Sequence, residues 1–193
     1  FLTQVLNIPV ERLAVTVFAG NEFIPKDEEA IEIWKSLGLS EDRICPTKDD
    51  NFWIAGETGP CGPDSEMFYF RSNDEIPKVF DPEDERWVEI WNNVFMQYNK
   101  SADGKYESLE QKNVDTGMGV ERTICVLNGV KSSYDVGAFK EIIDLMDSKA
   151  EIKNSDETVK SYRILADHLR SSIFILGDEK AIKPSNVGQG YIL

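Results

Sequence analysis

Residues 88–99 read Val-Glu-Ile-Trp-Asn-Asn-Val-Phe-Met-Gln-Tyr-Asn, and they form the clearest strand pattern in the sequence. Apolar residues lie at both even and odd positions, and many are β-branched or aromatic, which favours a β-strand. A strand that is apolar on both faces is typical of a sheet covered on both sides. Asn92 is the polar exception among the even-numbered residues. The stretch therefore predicts a central strand, covered on both sides, whose even-numbered face carries one amide.

The sequence before and after this stretch predicts further strands and one helix. Apolar runs predict three strands, at residues 13–17, at residues 67–70 and in the run that ends at Val114-Asp115, and residues 102–104 predict a turn. Asp27 is placed to cap a helix that stops near Gly38, with four apolar residues at helical spacing between them: Ala30, Ile33, Trp34 and Leu37. Residues 49–63 predict turns, and the acidic, proline-containing residues 72–85 predict a solvated loop.

From residue 131 onward the periodicity is helical only. Two apolar stripes predict two helices, Val136, Phe139, Ile143 and Met146 in the first and Val159, Tyr162, Ala166, Leu169 and Ile173 in the second. Asn154 and Glu157 have the spacing of a capping box, and Gly177 predicts a helix end. The sequence thus predicts a mixed strand-and-helix part over residues 1–130 and an all-helical part over residues 131–193.

The composition excludes several classes of protein. The 193 residues include 35 acidic and 21 basic side chains, and residues 1–130 hold 25 of the acidic and 12 of the basic ones. A formal charge of −14 disfavours nucleic acid and anionic membranes as default partners. There is no run of about 18 apolar residues, and residues 1–4 have neither the basic start nor the apolar stretch of a signal peptide. Three scattered cysteines indicate neither a disulfide framework nor a cysteine zinc site, so we expect a cytoplasmic protein.

Residues 114–122, Val-Asp-Thr-Gly-Met-Gly-Val-Glu-Arg, are the sharpest candidate site. Glycines let a ligand approach the backbone, Asp115 has the charge to hold an ammonium group, and Arg122 has the charge to contact a polyphosphate. The structural alternative is that Asp115 caps a helix and Arg122 is a solvated surface residue. Short glycine motifs are common, so spacing alone favours the alternative.

Two other stretches are weaker candidates. Residues 51–66 contain repeated Gly-Pro pairs that fix an unusual backbone path beside Trp53, or form a structural turn with a core tryptophan. Asn92 and Val94 have the spacing to orient a small ligand and limit its size, although a satisfied core amide explains Asn92 equally well. His168 is the only histidine, so no triad with a local histidine partner and no multi-histidine metal site can form, and it is interpreted as a helix-surface or packing residue.

Five blocks in order together resemble the alanyl-tRNA synthetases, a family of class II aminoacyl-tRNA synthetases. The blocks are residues 51–66, 89–97, 115–122, 166–168 and 184–193. The resemblance implies an α+β fold, with part of a class II antiparallel sheet and flanking helices followed by an all-helical segment. Residues 1–130 would be the C-terminal part of the aminoacylation domain, with the third class motif at 115–122, and residues 131–193 the beginning of the helical tRNA-recognition domain.

The resemblance also implies a reaction. Alanine's carboxylate attacks the α-phosphate of ATP to give alanyl-adenylate and pyrophosphate, and the alanyl group then passes to the 3′ end of tRNA(Ala). The implied alanine-binding residues are Trp53, Asn92, Val94, Asp115 and Gly117. Arg122 is implied to contact ATP and Asn186 to read the acceptor stem, although an ordinary helix-start turn explains Asn186 equally well. Mg²⁺ is implied with ATP, but no metal ligand and no acid or base residue is assigned.

The sequence departs from the family pattern at several points, and these departures limit the activity that we expect of these residues alone. Nothing resembles the first two class motifs, and Asp64 stands where the family usually has cysteine, which puts a metal or thiol role there in doubt. A pocket sized for a methyl group favours alanine over glycine by only about 1–3 kcal/mol and rejects serine weakly. We therefore expect editing of mischarged products in a separate domain outside these residues. We therefore expect a fragment that activates alanine negligibly by itself. The alternatives are a non-catalytic binding or interaction module and, less favoured with one histidine, a free-standing editing hydrolase.

Overall fold

The computed structural model describes residues 1–48, 50–180 and 182–193. The chain divides into two compact units, Phe1–Val126 and Leu127–Leu193. The first unit contains a β-sheet, and the second contains helices and short 3₁₀ turns over the residues described. No helix among these residues has the length and apolar character needed to cross a membrane.

Six strands form the sheet of the first unit: β1 (Leu13–Phe18), β2 (Ile44–Thr47), β3 (Phe52–Ile54), β4 (Gly59–Phe70), β5 (Trp87–Lys100) and β6 (Tyr106–Met118). The strand order is β2-β1-β4-β5-β6, and β3 pairs with β4 beside this path. The β1–β2 pair is parallel, and the other pairs are antiparallel. The predicted α+β fold is confirmed, with one parallel pair added to the antiparallel sheet.

Helix α1 (Glu28–Ser36) packs on the sheet. Asp27 caps it as predicted, because Asp27 Oδ1 accepts a hydrogen bond from the Ala30 amide, and Gly38 follows it with φ +99°. The predicted buried face is partly wrong. Ala30 and Ile31 are buried, whereas Ile33 and Leu37 are 51% and 66% exposed. The helix has only nine residues, so Leu37 lies at its C-cap and beyond the packed turn.

Strand β4 runs through residues that predicted turns. It has twelve residues and begins at Gly59, and the short strand β3 precedes it. Residue 49, the first of the residues predicted to form turns, lies outside the described part of the chain. A Cβ at Gly62 would lie 1.9 Å from the Phe95 carbonyl oxygen. Glycine therefore permits a close approach of β4 to β5, where the register shifts between Cys61 and Asp64.

The expectation that β5 is covered on both faces is wrong for most of the strand. Only Trp87 and Ile90 are buried, and the other residues are half-buried. Val88, Trp91 and Phe95 pack against the core cluster that contains Val15 and Ile90, and no residue of the strand after Ile90 is fully buried.

Two longer helices form most of the second unit: α3 (Gly137–Lys149) and α4 (Val159–Leu176). Both were predicted, and Gly177 is the C-cap of α4. The capping box at Asn154 is wrong, because α4 begins at Val159 with Thr158 as its N-cap. The backbone N–H of Asn154 instead donates a hydrogen bond to Asp147 Oδ1.

Candidate functional site

The antiparallel pairing of β5 with β6 brings together four of the five residues expected to bind alanine. Asn92 is opposite Gly117, and Val94 is opposite Asp115. Directly opposed residues lie on the same face of a sheet, and residues two apart on one strand share that face. An amide, a branched apolar side chain, a carboxylate and a glycine thus form one small patch.

The β6 side of this patch is open to solvent. Asp115 and Gly117 are exposed, whereas Asn92 and Val94 are half-buried. A Cβ at Gly117 would meet no atom within 4 Å, so the space above this backbone is free for a ligand. Asp115 is on β6, which ends the strand order, and helix α2 (Val120–Leu127) starts shortly after it. The structure therefore does not support the alternative in which Asp115 caps that helix.

Strand β4 extends the patch into two rows that cross three strands. Asp64 is opposite Val94 in the first row, and Glu66 is opposite Asn92 in the second. The first row is Asp64, Val94 and Asp115, and the second is Glu66, Asn92 and Gly117. We call these six residues the two-row patch. Its acidic groups lie on both sides of the central strand β5.

A buried amide links the β4 carboxylates to β1. The Asn51 Nδ2 group donates hydrogen bonds to Thr16 Oγ1 at 2.9 Å and to Asp64 Oδ1 at 2.8 Å. Asn51 Oδ1 accepts a hydrogen bond from the Thr47 hydroxyl. Thr16 Oγ1 in turn donates to Glu66 Oε2 at 3.1 Å. Asn51 and Thr16 are almost completely buried, so this chain of hydrogen bonds fixes both carboxylates in place.

The two β4 carboxylates hold their protons more tightly than usual. Burial raises the pKa of Asp64 to about 6, against the opposing effect of the hydrogen bond from Asn51. Burial and then the nearby charge of Glu89 raise the pKa of Glu66 to about 7, which the hydrogen bond from Thr16 partly offsets. Both shifts follow from the cost of placing a negative charge where water is scarce.

Arg122 lies in the first turn of α2 and is paired with β5. Its Nη1 atom is 2.7 Å from Glu89 Oε2 and also donates to the Glu89 carbonyl oxygen at 3.2 Å. The side chain is 52% exposed, so an incoming anion has access to it. Ion pairs this exposed contribute only about 0–1 kcal/mol, and a polyphosphate could therefore displace Glu89 at small cost.

Trp53 and Asn186 are not members of the two-row patch. Trp53 is on β3 opposite Gly62 and is 38% exposed, and no ring contact or hydrogen bond among the described residues joins it to Val94. Asn186 belongs to the second unit and is exposed in the loop before a 3₁₀ turn at Gly188–Tyr191. Val187 is the N-cap of that turn, so Asn186 does not start it. His168 is exposed on α4.

Sequence reasoning missed the Thr16–Asn51–Asp64–Glu66 network. One signal was available, since Thr16 is a hydroxyl residue within the apolar run of β1. No cluster of three or more histidine, cysteine, aspartate or glutamate side chains that could hold a metal ion occurs in residues 1–48, 50–180 and 182–193.

The sheet presents an exposed carboxylate, an amide and an open glycine, and an arginine follows on the next helix, which is the arrangement that the resemblance to class II synthetases led us to expect. The family model described as tRNA synthetases class II (A) matches residues 1–193. The chain belongs to this family.

Several curated proteins similar to this chain share one name, "Alanine--tRNA ligase". The relative from Treponema denticola is 50% identical over 100% of this chain and 34% of its own length. The relative from Borrelia hermsii is 47% identical over 100% of this chain and 34% of its own length, and that from Treponema pallidum is 44% identical over 97% and 32%. The chain spans about a third of the length of these relatives.

Proposed function

We propose that this chain carries the amino-acid-binding part of an alanine–tRNA ligase. The observation that supports this most directly is the strand register, which sets Asn92 and Val94 beside Gly117 and Asp115. In the proposed complex Asp115 holds the ammonium group of alanine, Asn92 orients its carboxylate, and Val94 contacts the methyl group. Open space at Gly117 admits the substrate.

The remaining assignments concern ATP and tRNA. Arg122 contacts ATP in the proposed complex by exchanging its Glu89 partner for phosphate oxygens. Mg²⁺, which class II synthetases use, neutralises phosphate charge and takes much of its coordination from phosphates and water. We further propose that residues 1–130 belong to the aminoacylation domain and residues 131–193 to the tRNA-recognition domain, in which Asn186 reads the acceptor stem of tRNA(Ala). Trp53 forms an outer wall of the alanine pocket in this proposal.

The decisive experiment is Asp115→Asn in the complete gene product that contains these residues. Loss of a charge-assisted hydrogen bond costs about 1.5–3 kcal/mol, so KM for alanine in ATP–pyrophosphate exchange should rise about 10- to 150-fold. KM for ATP should stay unchanged. Glu107→Gln, which neutralises another exposed carboxylate on β6, is the matched control and should leave both values as they are. Equal effects of the two variants would contradict the proposal.

A separate experiment tests the tRNA assignment. Asn186→Ala should slow alanylation of tRNA(Ala) while sparing ATP–pyrophosphate exchange, because the side chain is exposed and lies in the other compact unit. Equal loss of both activities would show that Asn186 does not act through tRNA.

A further inference from the structure

Glu66 and Asn92 are direct cross-strand partners in the second row of the two-row patch. Opposed residues in an antiparallel pair have Cβ atoms about 4.5–5.5 Å apart, which lets a glutamate reach an asparagine amide. Asn92 is the residue proposed to orient the alanine carboxylate. Whatever Glu66 does to the Asn92 amide therefore acts on the proposed substrate-binding group.

The Asn92 amide has one unsatisfied end. Asn92 Oδ1 is buried and has no hydrogen-bond partner among the described residues. An unpaired buried carbonyl oxygen destabilises the fold, so a hydrogen-bond donor is needed on that side. The residue opposite is Glu66, and a carboxyl group donates a hydrogen bond only when it is protonated.

Thr16 fixes which Glu66 oxygen is available for this role. Thr16 Oγ1 accepts a hydrogen bond from Asn51 Nδ2, and its own proton therefore goes to Glu66 Oε2. Oε2 is an acceptor in this arrangement, which leaves Oε1 as the oxygen that can carry a proton. The hydrogen-bond directions thus run from the fully buried Asn51 amide through Thr16 to Glu66 Oε2, and they leave Glu66 Oε1 free.

The charged groups around Glu66 favour that proton. Asp64 on β4, Glu89 on β5 and Asp50 before β3 all act on it as negative charges, and the nearby cation Arg122 of α2 is paired with Glu89. Burial, and then these charges, raise the pKa of Glu66 to about 7. The neutral acid is therefore well populated near neutral pH.

We propose that Glu66 is a positioning residue that, as the neutral acid, donates a hydrogen bond from Oε1 to Asn92 Oδ1 and so presents Asn92 Nδ2 to the carboxylate of alanine. This inference rests on the proposed function of the patch. When Glu66 loses its proton, Asn92 Oδ1 loses its donor, and the amide is no longer held with Nδ2 toward the substrate. Alanine binding should therefore weaken as the pH rises.

The test is the pH profile of KM for alanine in ATP–pyrophosphate exchange, measured with the complete gene product at saturating ATP. If only the protonated form binds well, KM should rise up to about tenfold between about pH 6 and about pH 8, with a smaller change in kcat. Glu66→Gln keeps an acceptor for Thr16 and a permanent donor for Asn92 Oδ1, so it should bind alanine with a flat profile. Glu66→Ala removes both and should raise KM throughout. Glu107→Gln, on the exposed part of β6, should match the wild-type profile.

A second readout needs no catalysis. The infrared difference spectrum of the wild-type protein minus Glu66→Gln should contain a protonated carboxyl band at about pH 6 that disappears by about pH 8. Absence of that band would overturn the inference, as would a strong loss of alanine binding in Glu66→Gln. A KM that falls as the pH rises would also overturn it, because ionised Glu66 would then be binding the ammonium group. If the wild-type protein shows no alanine-dependent exchange while the band is present, the proposed function fails and the proton on Glu66 stands.

Discussion

Asp64→Asn is expected to stabilise the first unit, and to do so more at high pH than at low pH. Asp64 is 3% exposed and receives a hydrogen bond from Asn51, which an asparagine Oδ1 would also accept. A carboxyl pKa of about 6, against the ordinary value of 3.8, means that the folded state binds this proton more tightly than the unfolded state. Ionisation therefore destabilises the fold. The loss begins as the pH rises through 3.8, is complete above about 6 and totals about 3 kcal/mol.

About half of this loss, ~1.4 kcal/mol, falls between about pH 5 and about pH 8. The stability gained by Asp64→Asn should grow by that amount over this range in urea unfolding followed by tryptophan fluorescence. All four tryptophans lie in the first unit, so the signal reports on it: Trp34, Trp53, Trp87 and Trp91. Glu57→Gln, at an exposed carboxylate in the same segment, is the control and should give no gain that changes with pH. A gain from Asp64→Asn that is independent of pH would refute the reasoning.

Three other substitutions separate stability from binding. Asn51→Ala removes three buried hydrogen bonds and should lower the free energy of unfolding by about 2–4 kcal/mol in the same assay; a loss below about 1 kcal/mol would argue against the network. Gly62→Ala places a Cβ against the Phe95 carbonyl and should cost about 3 kcal/mol or more, and wild-type stability in this variant would show that β4 and β5 are not packed so closely. Gly117→Ala meets open space, so unfolding should change by less than about 0.5 kcal/mol while KM for alanine rises; an unchanged KM would remove Gly117 from the pocket.

Local chemistry predicted the parts of the fold that depend on neighbours in sequence. Asp27 caps α1, and Gly104 has φ +83° in the turn between β5 and β6, as the sequence indicated. The resemblance named Asn92, Val94, Asp115 and Gly117 as one site. The hairpin register then places them opposite each other, which tests their proximity but not their role.

The network around Asn51 was beyond sequence reasoning because its links are distant along the chain. Thr16 and Glu66 are 50 positions apart, and Asn51 and Thr16 are 35 apart. Neither spacing produces a periodic pattern, and each residue alone is ordinary in a turn or strand. The close approach at Gly62 was missed for the same reason, since only the position of β5 shows why a side chain is excluded there.

In the proposed complex, differences in burial would distinguish the carboxylates of the two-row patch and leave Asp115 for the ammonium group of alanine. Three carboxylates lie on its face, and full ionisation of all three would place like charges on either side of β5. Burial raises the pKa of Asp64 to about 6 and that of Glu66 to about 7, so Glu66 keeps a neutral fraction near neutral pH, whereas Asp115 is exposed on the outermost strand, where a ligand has access. In that complex alanine, a zwitterion, would meet the Asp115 carboxylate at the β6 edge and the Asn92 amide nearer the centre of the sheet. Asp64 is a buried hydrogen-bond acceptor for Asn51. This structural role explains an aspartate at position 64 and requires neither a metal nor a thiol there.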